Sequence, residues 1–286
     1  MNWDDARFLL GLARAGSLTA AARLLRADKS TVARRLAALE QALGFALTER
    51  EGNGALRLTA AGRGALRHAE AMGDAAQALQ AMGQDEAVQF AGTVRLTAVP
   101  LIVNHLLLPQ LPDLLSAAPG LRVELASDPR DLSLPEGEAD IALRFARPAG
   151  TGQGVLARKI AVLPYAAYAA QQAGPDLPWL GYDPRMGFLP QAEAVDAAAR
   201  QPGETLSPAC FNDAETLFLS VLAGQGKTLL PRLVGSANAN LRELPCPVPL
   251  PERELWLMVR RDLRGLERIR RTVAWLEGVF AAPGPG

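Results

Sequence analysis

The stretch "GSLTAAARLLRADKSTVARRLAALEQALGFALTEREGNGALRLTAAG", residues 16–62, decides the fold of the N-terminal part of this chain. Ser17 and Asp28 are of the residue types that cap helix N-termini, and each precedes an apolar-patterned segment. Gly44 ends the second segment as a C-terminal cap. The first segment is rich in alanine, which allows close packing of the two helices. The pattern therefore predicts a helix-turn-helix.

A further helix is predicted before this pair. The residues "WDDARFLLGLARA" place Phe8, Leu9 and Leu12 at helical spacing, and Gly16 follows as the cap. The third predicted helix has one apolar stripe and one side rich in hydrogen-bond donors. If its N-terminus lies in the major groove, these donors reach phosphates and base edges. They are Lys29, Ser30, Thr31, Arg34 and Arg35.

Two short strands are predicted directly after the third helix. The segment "ALTEREGNGALRLT" has strand-like pieces on both sides of Gly52-Asn53-Gly54, which is a hairpin turn signal. A hairpin in this position is a wing. Arg50 and Arg57 lie on it, so we expect them to contact the DNA backbone.

The charge distribution agrees with nucleic-acid binding at one end of the molecule. Residues 1–63 contain ten Lys and Arg against six Asp and Glu, a net charge of +4. Because the whole chain is formally neutral, the remainder carries −4. A basic N-terminal segment joined to a mildly acidic larger part is typical of a DNA-binding domain attached to another domain.

The quoted stretch resembles the LysR-type transcriptional regulators. The helix-turn-helix, the "LE..LG" helix end, the "L.ER" strand and the "LT.AG" exit match that family in order and spacing. The family usually opens its recognition helix with Ser-Gln-Pro, where this chain has Asp28-Lys29-Ser30, and Ala33 replaces a customary serine. The resemblance therefore implies a groove-binding helix but no particular operator sequence.

The segment after Gly62 predicts a linker helix over residues 61–89. Its small and apolar residues recur at alternating spacings of four and three, which makes a short heptad seam. Such a seam either packs on its own domain or pairs two subunits, and the resemblance implies pairing, in a homodimer or homotetramer. We expect Met72 and Leu79 to be buried between two such helices. The full seam is Ala65, Ala69, Met72, Ala76, Leu79 and Gly83.

From Gly92 onward the pattern changes to strands alternating with helices, which predicts an α/β domain with a parallel-rich sheet. The expected domains are 1–60 (winged helix-turn-helix), 61–89 (linker) and 90–286 (effector-binding). The resemblance implies that the last consists of two subdomains, hinged like a periplasmic binding protein with a small-molecule cleft between them. We expect their approximate bounds to be 90–163 plus 262–286, and 164–261.

The cleft of an open α/β sheet forms outside the C-terminal ends of its strands. This rule predicts effector contacts from Pro100, Leu101, Ile102, Arg144, Phe145, Phe211 and Asn212. Most of this wall is apolar. Arg144 either holds a carboxylate bidentately or forms a structural ion pair with an acidic neighbour. The expected effector is small and largely apolar or aromatic, with one anionic group.

Two other functions compete with a ligand-responsive regulator. Gly226-Lys227-Thr228 ends like a Walker A loop, which suggests a nucleotide-binding enzyme. However, Val221 stands where that loop needs glycine, and the segment connects a helix to a strand instead of a strand to a helix. A DNA-binding regulator with a ligand-blind C-terminal domain is the second alternative. The favoured interpretation is a regulator without enzymatic activity or cofactor.

Other classes have little support in the sequence. Cys210 and Cys246 have no C-x-x-C spacing, so neither disulfides nor a zinc site are indicated. His68 and His105 stand apart from other metal ligands and nucleophiles. No uncharged run is long enough to span a bilayer, and the N-terminus is acidic where a signal peptide would be basic. A cytoplasmic location is expected.

Overall fold

The computed structural model describes residues 1–50, 56–81, 92–127, 134, 139–145 and 154–281. Contacts divide the chain into two compact units, Met1–Gly92 and Thr93–Gly286. Each unit buries its own apolar side chains. The C-terminal part of the predicted linker segment, residues 82–89, lies outside the described part of the chain.

The N-terminal unit consists of four helices and a hairpin in its described part. They are α1 (Trp3–Ala15), α2 (Leu18–Leu25), α3 (Lys29–Leu43), β1 (Thr48–Arg50), β2 (Leu56–Leu58) and α4 (Ala60–Ala81). Gly16 and Gly44 adopt φ values of 70° and 80° at the predicted helix ends, and Ser17 Oγ accepts the Ala20 N–H at 3.2 Å. Asp28 occupies the N-cap position of α3, but its side chain makes no capping hydrogen bond.

The turn between α2 and α3 has a conformation that the sequence does not signal. Arg26 has φ 50°, and it is the one non-glycine residue with positive φ in the described ranges. Its N–H donates to the carbonyls of Ala22 and Arg23. A left-handed residue with a Cβ costs roughly 1–2 kcal/mol, so helix packing on both sides has to hold this turn in place.

The wing is attached to α3 through a carboxylate. Glu40 Oε1 accepts the backbone N–H groups of Leu47 at 2.7 Å and Thr48 at 3.0 Å. The two strands then pair antiparallel, with Glu49 opposite Arg57. The predicted turn at Gly52-Asn53-Gly54 lies outside the described residues.

Thr59 fixes the exit from the wing into α4. Its Oγ1 donates to the Ala46 carbonyl at 2.8 Å and accepts the Gly62 N–H at 2.8 Å. Gly62 approaches so closely that an added Cβ would lie 1.9 Å from the Leu47 carbonyl oxygen. Glu40 of the "LE..LG" motif therefore holds the start of the hairpin, and Thr59 of the "LT.AG" motif holds its end. We call these contacts, with the close approach of Gly62 to Leu47, the clamp on the wing.

The first part of the predicted seam packs on its own unit. Ala69 is buried in the core formed with α1 and α3, and Ala65 and Met72 are half-buried against it. Leu79 lies on α4, but its side chain is outside the described residues. No single described helix is long and apolar enough to cross a bilayer; only α1 with α2, bent by 120°, reaches such a length and composition as a pair.

The C-terminal unit contains a larger sheet and a smaller one. The strands are β3 (Gly92–Ala98), β4 (Leu121–Ser127), β5 (Ile141–Arg144), β6 (Val155–Ala170), β7 (Trp179–Tyr182), β8 (Leu206–Phe211), β9 (Thr228–Pro231), β10 (Leu241–Leu244) and β11 (Glu252–Arg260). The helices are α5 (Pro100–Ile102), α6 (Leu111–Ala117), α7 (Pro190–Ala199), α8 (Ala214–Leu222), α9 (Arg232–Gly235) and α10 (Glu267–Ala281).

The sheet is mixed, so the prediction of a parallel-rich sheet is wrong. In the described residues the strand order is β10-β6-β11-β5-β3-β4, with β9 also paired to β6, while β7 and β8 form a separate pair. β3 runs parallel to β5 and β7 parallel to β8. β11 runs antiparallel to β5 and β6, and β9 and β10 run antiparallel to β6. The chain returns from its second half through β11, which lies beside β6 and runs in the opposite direction.

Two strands connect the halves of this unit. The first part of β6 pairs with β11, and the second part, from Tyr165 onward, pairs with β9 and β10. β11 pairs with β6 along its whole length, and its residues 256–259 also pair with β5. β11, which falls within the expected second subdomain (164–261), thus pairs with β5 of the first half as well as with β6.

The segment after β3 is helical but broken. After α5 come a π-helical turn (Val103–Leu107) and a 3-10 turn (Leu108–Gln110), and then α6. Pro109 lies in the 3-10 turn and lacks the N–H that a continuous α-helix needs. The predicted helix-to-strand connection at Gly226-Lys227-Thr228 is confirmed, because α8 precedes it and β9 begins at Thr228. Gly224, which follows α8, has a φ of 73°.

The clamp on the wing makes a prediction for thermal unfolding. Gly62→Ala should destabilise the protein by about 1–3 kcal/mol, because a methyl group has to displace the Leu47 backbone. Gly73→Ala is the matched control on the same helix, since its Cβ would meet only the tip of the Leu10 side chain, at 3.4 Å. This control should change stability by less than about 1 kcal/mol. Equal melting temperatures for the two variants would contradict the clamp.

Candidate DNA-binding surface and effector site

The N-terminal turn of α3 presents polar side chains to solvent. Lys29, Ser30 and Arg34 are exposed, and Thr31 is half-buried. The helix N-terminus adds unpaired backbone N–H groups and a partial positive charge, both of which favour phosphate. On the wing, Arg50 and Arg57 are exposed as well. The structure therefore leaves this group of predicted DNA contacts at the surface of one unit.

Arg35 is held differently from its neighbour Arg34. Its Nη1 donates to Asp5 Oδ1 at 2.9 Å, and its guanidinium carbon lies 5.8 Å from the centre of the Phe8 ring. The Asp5 side chain is only 6% exposed. Arg35 thus neutralises a buried carboxylate and ties α3 to α1, a role that the sequence analysis did not anticipate.

The same unit carries an apolar groove of about 400 Å³ between α1, α3 and α4. Phe45 is 42% exposed beside it, although it is a large apolar residue. Met72, expected at a subunit interface, also lines the groove. The other lining residues are Met1, Ala6, Leu9, Leu39, Leu43, Ala61, Gly64, Ala65, His68 and Ala69.

The predicted effector residues are only partly brought to a common place. Leu101 and Ile102 are buried, at 1% and 0% exposure. Pro100 and Phe211 are half-buried, and Asn212 is exposed directly after β8. The residues expected to contact an effector therefore range from fully buried to exposed.

Arg144 folds back on its own strand. Its Nη1 donates to the Leu143 carbonyl at 3.1 Å, and its Nη2 atom is buried. In the sheet it lies opposite Trp256. The guanidinium that was expected to meet an effector is therefore packed at the end of β5.

A second arginine lies beside the other predicted residue of this strand end. Arg253 Nη2 donates to the Phe145 carbonyl at 3.1 Å, and its guanidinium carbon lies 4.7 Å from the centre of the Phe145 ring. Its Nη1 donates to Gln191 Oε1 at 3.4 Å. Arg253 belongs to β11 and Gln191 to α7, so one side chain joins residues of both halves of the unit.

Two tyrosines complete this cluster. Burial raises the pKa of Tyr165 well above its ordinary value; Tyr182 raises it further, and Arg253 lowers it in part. Burial also raises the pKa of Tyr182 to about 12, although a hydrogen bond with Gln191 opposes the shift. Both hydroxyls therefore stay protonated near neutral pH and can donate hydrogen bonds. We call Arg253, Tyr165, Tyr182, Gln191 and Phe145 the Arg253 cluster.

A further polar contact joins the two halves. His105 Nε2 lies 3.0 Å from Glu215 Oε2, Asn104 Nδ2 donates to Glu215 Oε1 at 3.0 Å, and the His105 ring lies 4.1 Å from the Phe218 ring. Burial raises the pKa of Glu215, but the bonds from His105 and Asn104 outweigh it, so the net shift is downward. His105 thus fastens the π-helical turn after α5 to the first turn of α8.

The Walker-like lysine has a structural role. Lys227 Nζ lies 2.6 Å from Glu204 Oε2 and 5.1 Å from the centre of the Trp179 ring, and its side chain is 13% exposed. Trp179 Nε1 donates to the same carboxylate. A lysine enclosed in this way is not presented to a nucleotide. No cluster of three or more metal-ligating side chains occurs in the part of the chain that the structure describes.

The Arg253 cluster and the His105–Glu215 contact were not predicted from the sequence. Arg253 and Phe145 are separated by 108 positions, and His105 and Glu215 by 110. No local spacing connects such residues. Only the register of β11 against β5 and β6 brings Arg253 to the end of β5, and that register is not visible in a single sequence.

A winged helix-turn-helix followed by a two-part α/β unit defines a ligand-responsive transcription regulator. Residues 3–63 match the family described as the bacterial regulatory helix-turn-helix protein, lysR family. Residues 87–281 match the LysR substrate binding domain. The chain belongs to the LysR family of transcriptional regulators, and its C-terminal part is an effector-binding domain. Proteins of this family are regulators and not enzymes.

Similar proteins span the same length. The chain is 31% identical over 291 residues to the Mau operon transcriptional activator of Paracoccus denitrificans, which covers 98% of this chain and 97% of that protein. Among solved structures it is similar to ArgP from Mycobacterium tuberculosis, with a TM-score of 0.68, 20% identity, and coverage of 99% and 98%. It is also similar to LysG from Corynebacterium glutamicum with bound effector Arg, with a TM-score of 0.66, 16% identity, and 98% coverage of both chains. The structural likenesses show the fold.

The contrast between two adjacent arginines gives a prediction. Arg34→Ala should weaken binding of operator DNA and reduce the salt dependence of the affinity by about one phosphate contact, without changing thermal stability. Arg35→Ala should lower stability by about 1–3 kcal/mol, because the Asp5 carboxylate is left buried without its partner. Fluorescence anisotropy with labelled DNA and thermal unfolding measure the two effects. A stable Arg35→Ala protein, or an Arg34→Ala protein with unchanged salt slope, would contradict the assignment.

Proposed function

We propose that this regulator binds DNA as a symmetric dimer through α3 and the wing, and that an aromatic or apolar effector with one anionic group controls it. The observation that carries the DNA-binding half is the exposed basic N-terminus of α3. Lys29, Ser30, Thr31 and Arg34 supply donors for base edges and phosphates, and Arg50 and Arg57 supply phosphate contacts. Arg35 acts by positioning the helix.

The apolar groove supports pairing through the N-terminal unit. A groove of about 400 Å³ with an exposed Phe45 and a half-buried Met72 has the chemistry of a surface that a second apolar helix covers. Two-fold pairing would present two copies of α3 to successive major-groove half-sites. We therefore assign the groove to a second copy of this chain, with Leu79 further along the same helix.

Pairing is tested by placing a charge at the edge of the groove. Phe45→Glu should produce monomers, because a carboxylate buried between subunits without a partner costs several kcal/mol. Leu24→Glu is the matched control: Leu24 is 56% exposed on α2 and does not line the groove, so this variant should keep the wild-type assembly. Light scattering on both variants decides. Wild-type oligomers in Phe45→Glu would move the pairing surface elsewhere.

The effector half of the proposal is supported by the end of β5 and its neighbours. Phe145 directly follows β5, the half-buried Phe211 ends β8 opposite Tyr182, and Arg253 and Tyr165 lie on the paired strands β11 and β6. Aromatic rings with a few convergent donors are typical of small-molecule sites. Asn212 and Pro100 stay candidates for further contacts, whereas Leu101 and Ile102 contribute through the core behind them.

The effector class is tested by thermal unfolding of the full chain with two kinds of compound. Small aromatic carboxylic acids should raise the melting temperature, by an amount that corresponds to about 2.7 kcal/mol at a concentration one hundred times Kd. Free arginine, the effector named for LysG, should have no such effect, because the Arg253 cluster contains no carboxylate that could bind the guanidinium of the ligand. Stabilisation by arginine alone would contradict the proposed class. No stabilisation by any compound would favour the ligand-blind alternative.

A further inference from the structure

Among the described residues, the hydrogen-bond partners of the Arg253 cation are neutral. They are the Phe145 carbonyl and the Gln191 amide oxygen, and the nearby Tyr165 hydroxyl, whose pKa Arg253 lowers in part, is neutral as well. Among the described residues, no carboxylate oxygen lies within 4 Å of the guanidinium. Asp213, whose charge acts on Tyr182, is engaged as the N-cap of α8 by the Thr216 N–H and hydroxyl.

Neutral partners leave a partly buried cation incompletely stabilised. A half-buried guanidinium has given up part of its hydration, and neutral acceptors return less than an anion would. The bond to Gln191 is also long: 3.4 Å exceeds the usual 2.7–3.2 Å range of an N–H···O bond. This acceptor is therefore the one that an incoming anion displaces most easily.

The rest of the cluster suits one particular anion. The Arg253 guanidinium presents parallel N–H donors, which match a planar carboxylate bidentately. The hydroxyls of Tyr165 and Tyr182 stay protonated and can donate, and the Phe145 ring offers an aromatic face next to the cation. These groups together fit a carboxylate attached to an aromatic or other flat apolar group.

We propose that Arg253, and not Arg144, anchors the carboxylate of the effector, which takes the place of the Gln191 amide oxygen. This inference rests on the proposed effector-binding function and specifies the group that recognises the anion. It also suggests how effector binding changes contacts within the protein. Arg253 lies on β11 opposite Leu163 of β6, so loss of its bond to Gln191 removes a contact between β11 and α7.

The test measures how much more tightly the protein binds an acid than the corresponding neutral amide. Isothermal titration calorimetry on the full chain compares matched pairs of acid and primary amide: benzoate with benzamide, phenylacetate with phenylacetamide, and indole-3-acetate with indole-3-acetamide. The wild-type protein should prefer the acid of its best pair by about ten- to hundredfold, as expected for a charge-assisted bidentate contact. Arg253→Gln should bring this ratio close to one. Arg144→Leu should leave it unchanged.

Arg253→Lys guards against a folding defect in the glutamine variant. It keeps the charge but loses the bidentate geometry, so the acid preference should fall by about tenfold without disappearing. Circular dichroism establishes that each variant is folded. A ratio that survives in Arg253→Gln, or one that Arg144→Leu abolishes, would overturn the inference while the proposed effector class stands. Failure of every acid and amide to bind the wild-type protein would overturn both.

Discussion

The pairing of β6 with β11 is the constraint on which the effector-binding unit depends. β6 belongs to the sheet of the first half through its beginning and to that of the second half through its end, and β11 runs antiparallel beside it. Neither half is complete without these two strands. The backbone hydrogen bonds of this strand pair therefore fix the positions of Arg253 and Tyr165 along the chain relative to both halves.

Two groups of polar side-chain contacts join the halves in addition to the strand pairing. Arg253 reaches Phe145 on one side and Gln191 on the other, and His105 with Asn104 holds Glu215. Each contact can be exchanged for a ligand group or for water at modest cost, unlike apolar core packing. The second half also has internal contacts of its own: Lys227 and Trp179 both meet Glu204, and Trp179 belongs to a buried apolar cluster.

The N-terminal unit separates positioning from recognition. Glu40 and Thr59 fasten the wing, and the Arg35–Asp5 pair fastens α3, while Lys29 and Arg34 stay at the surface. The departure from the usual Ser-Gln-Pro, at Asp28-Lys29-Ser30, therefore lies outside the residues that fasten the wing and α3.

Local signals predicted the elements of this fold, and long-range register determined what could not be predicted. Gly16, Ser17 and Gly44 act through neighbouring backbone atoms, so their roles as caps follow from the sequence. The role of Arg35 depends on an aspartate 30 positions away, and the Arg253 cluster on residues up to 108 positions away. The mixed sheet was missed because alternation of strands and helices does not show that a final strand returns beside β6.

Amide hydrogen exchange of the full chain, with and without a saturating aromatic acid, tests most directly whether the β6–β11 pair couples the site to both halves. We expect the exchange rates to change together in residues 161–165 and 251–255 of this pair, in 141–145 at the end of β5, and in 189–195 around Gln191. Matching changes in both halves and in the β6–β11 pair would support a site shared by the two halves. Protection confined to one half, with the β6–β11 pair unaffected, would contradict such a site.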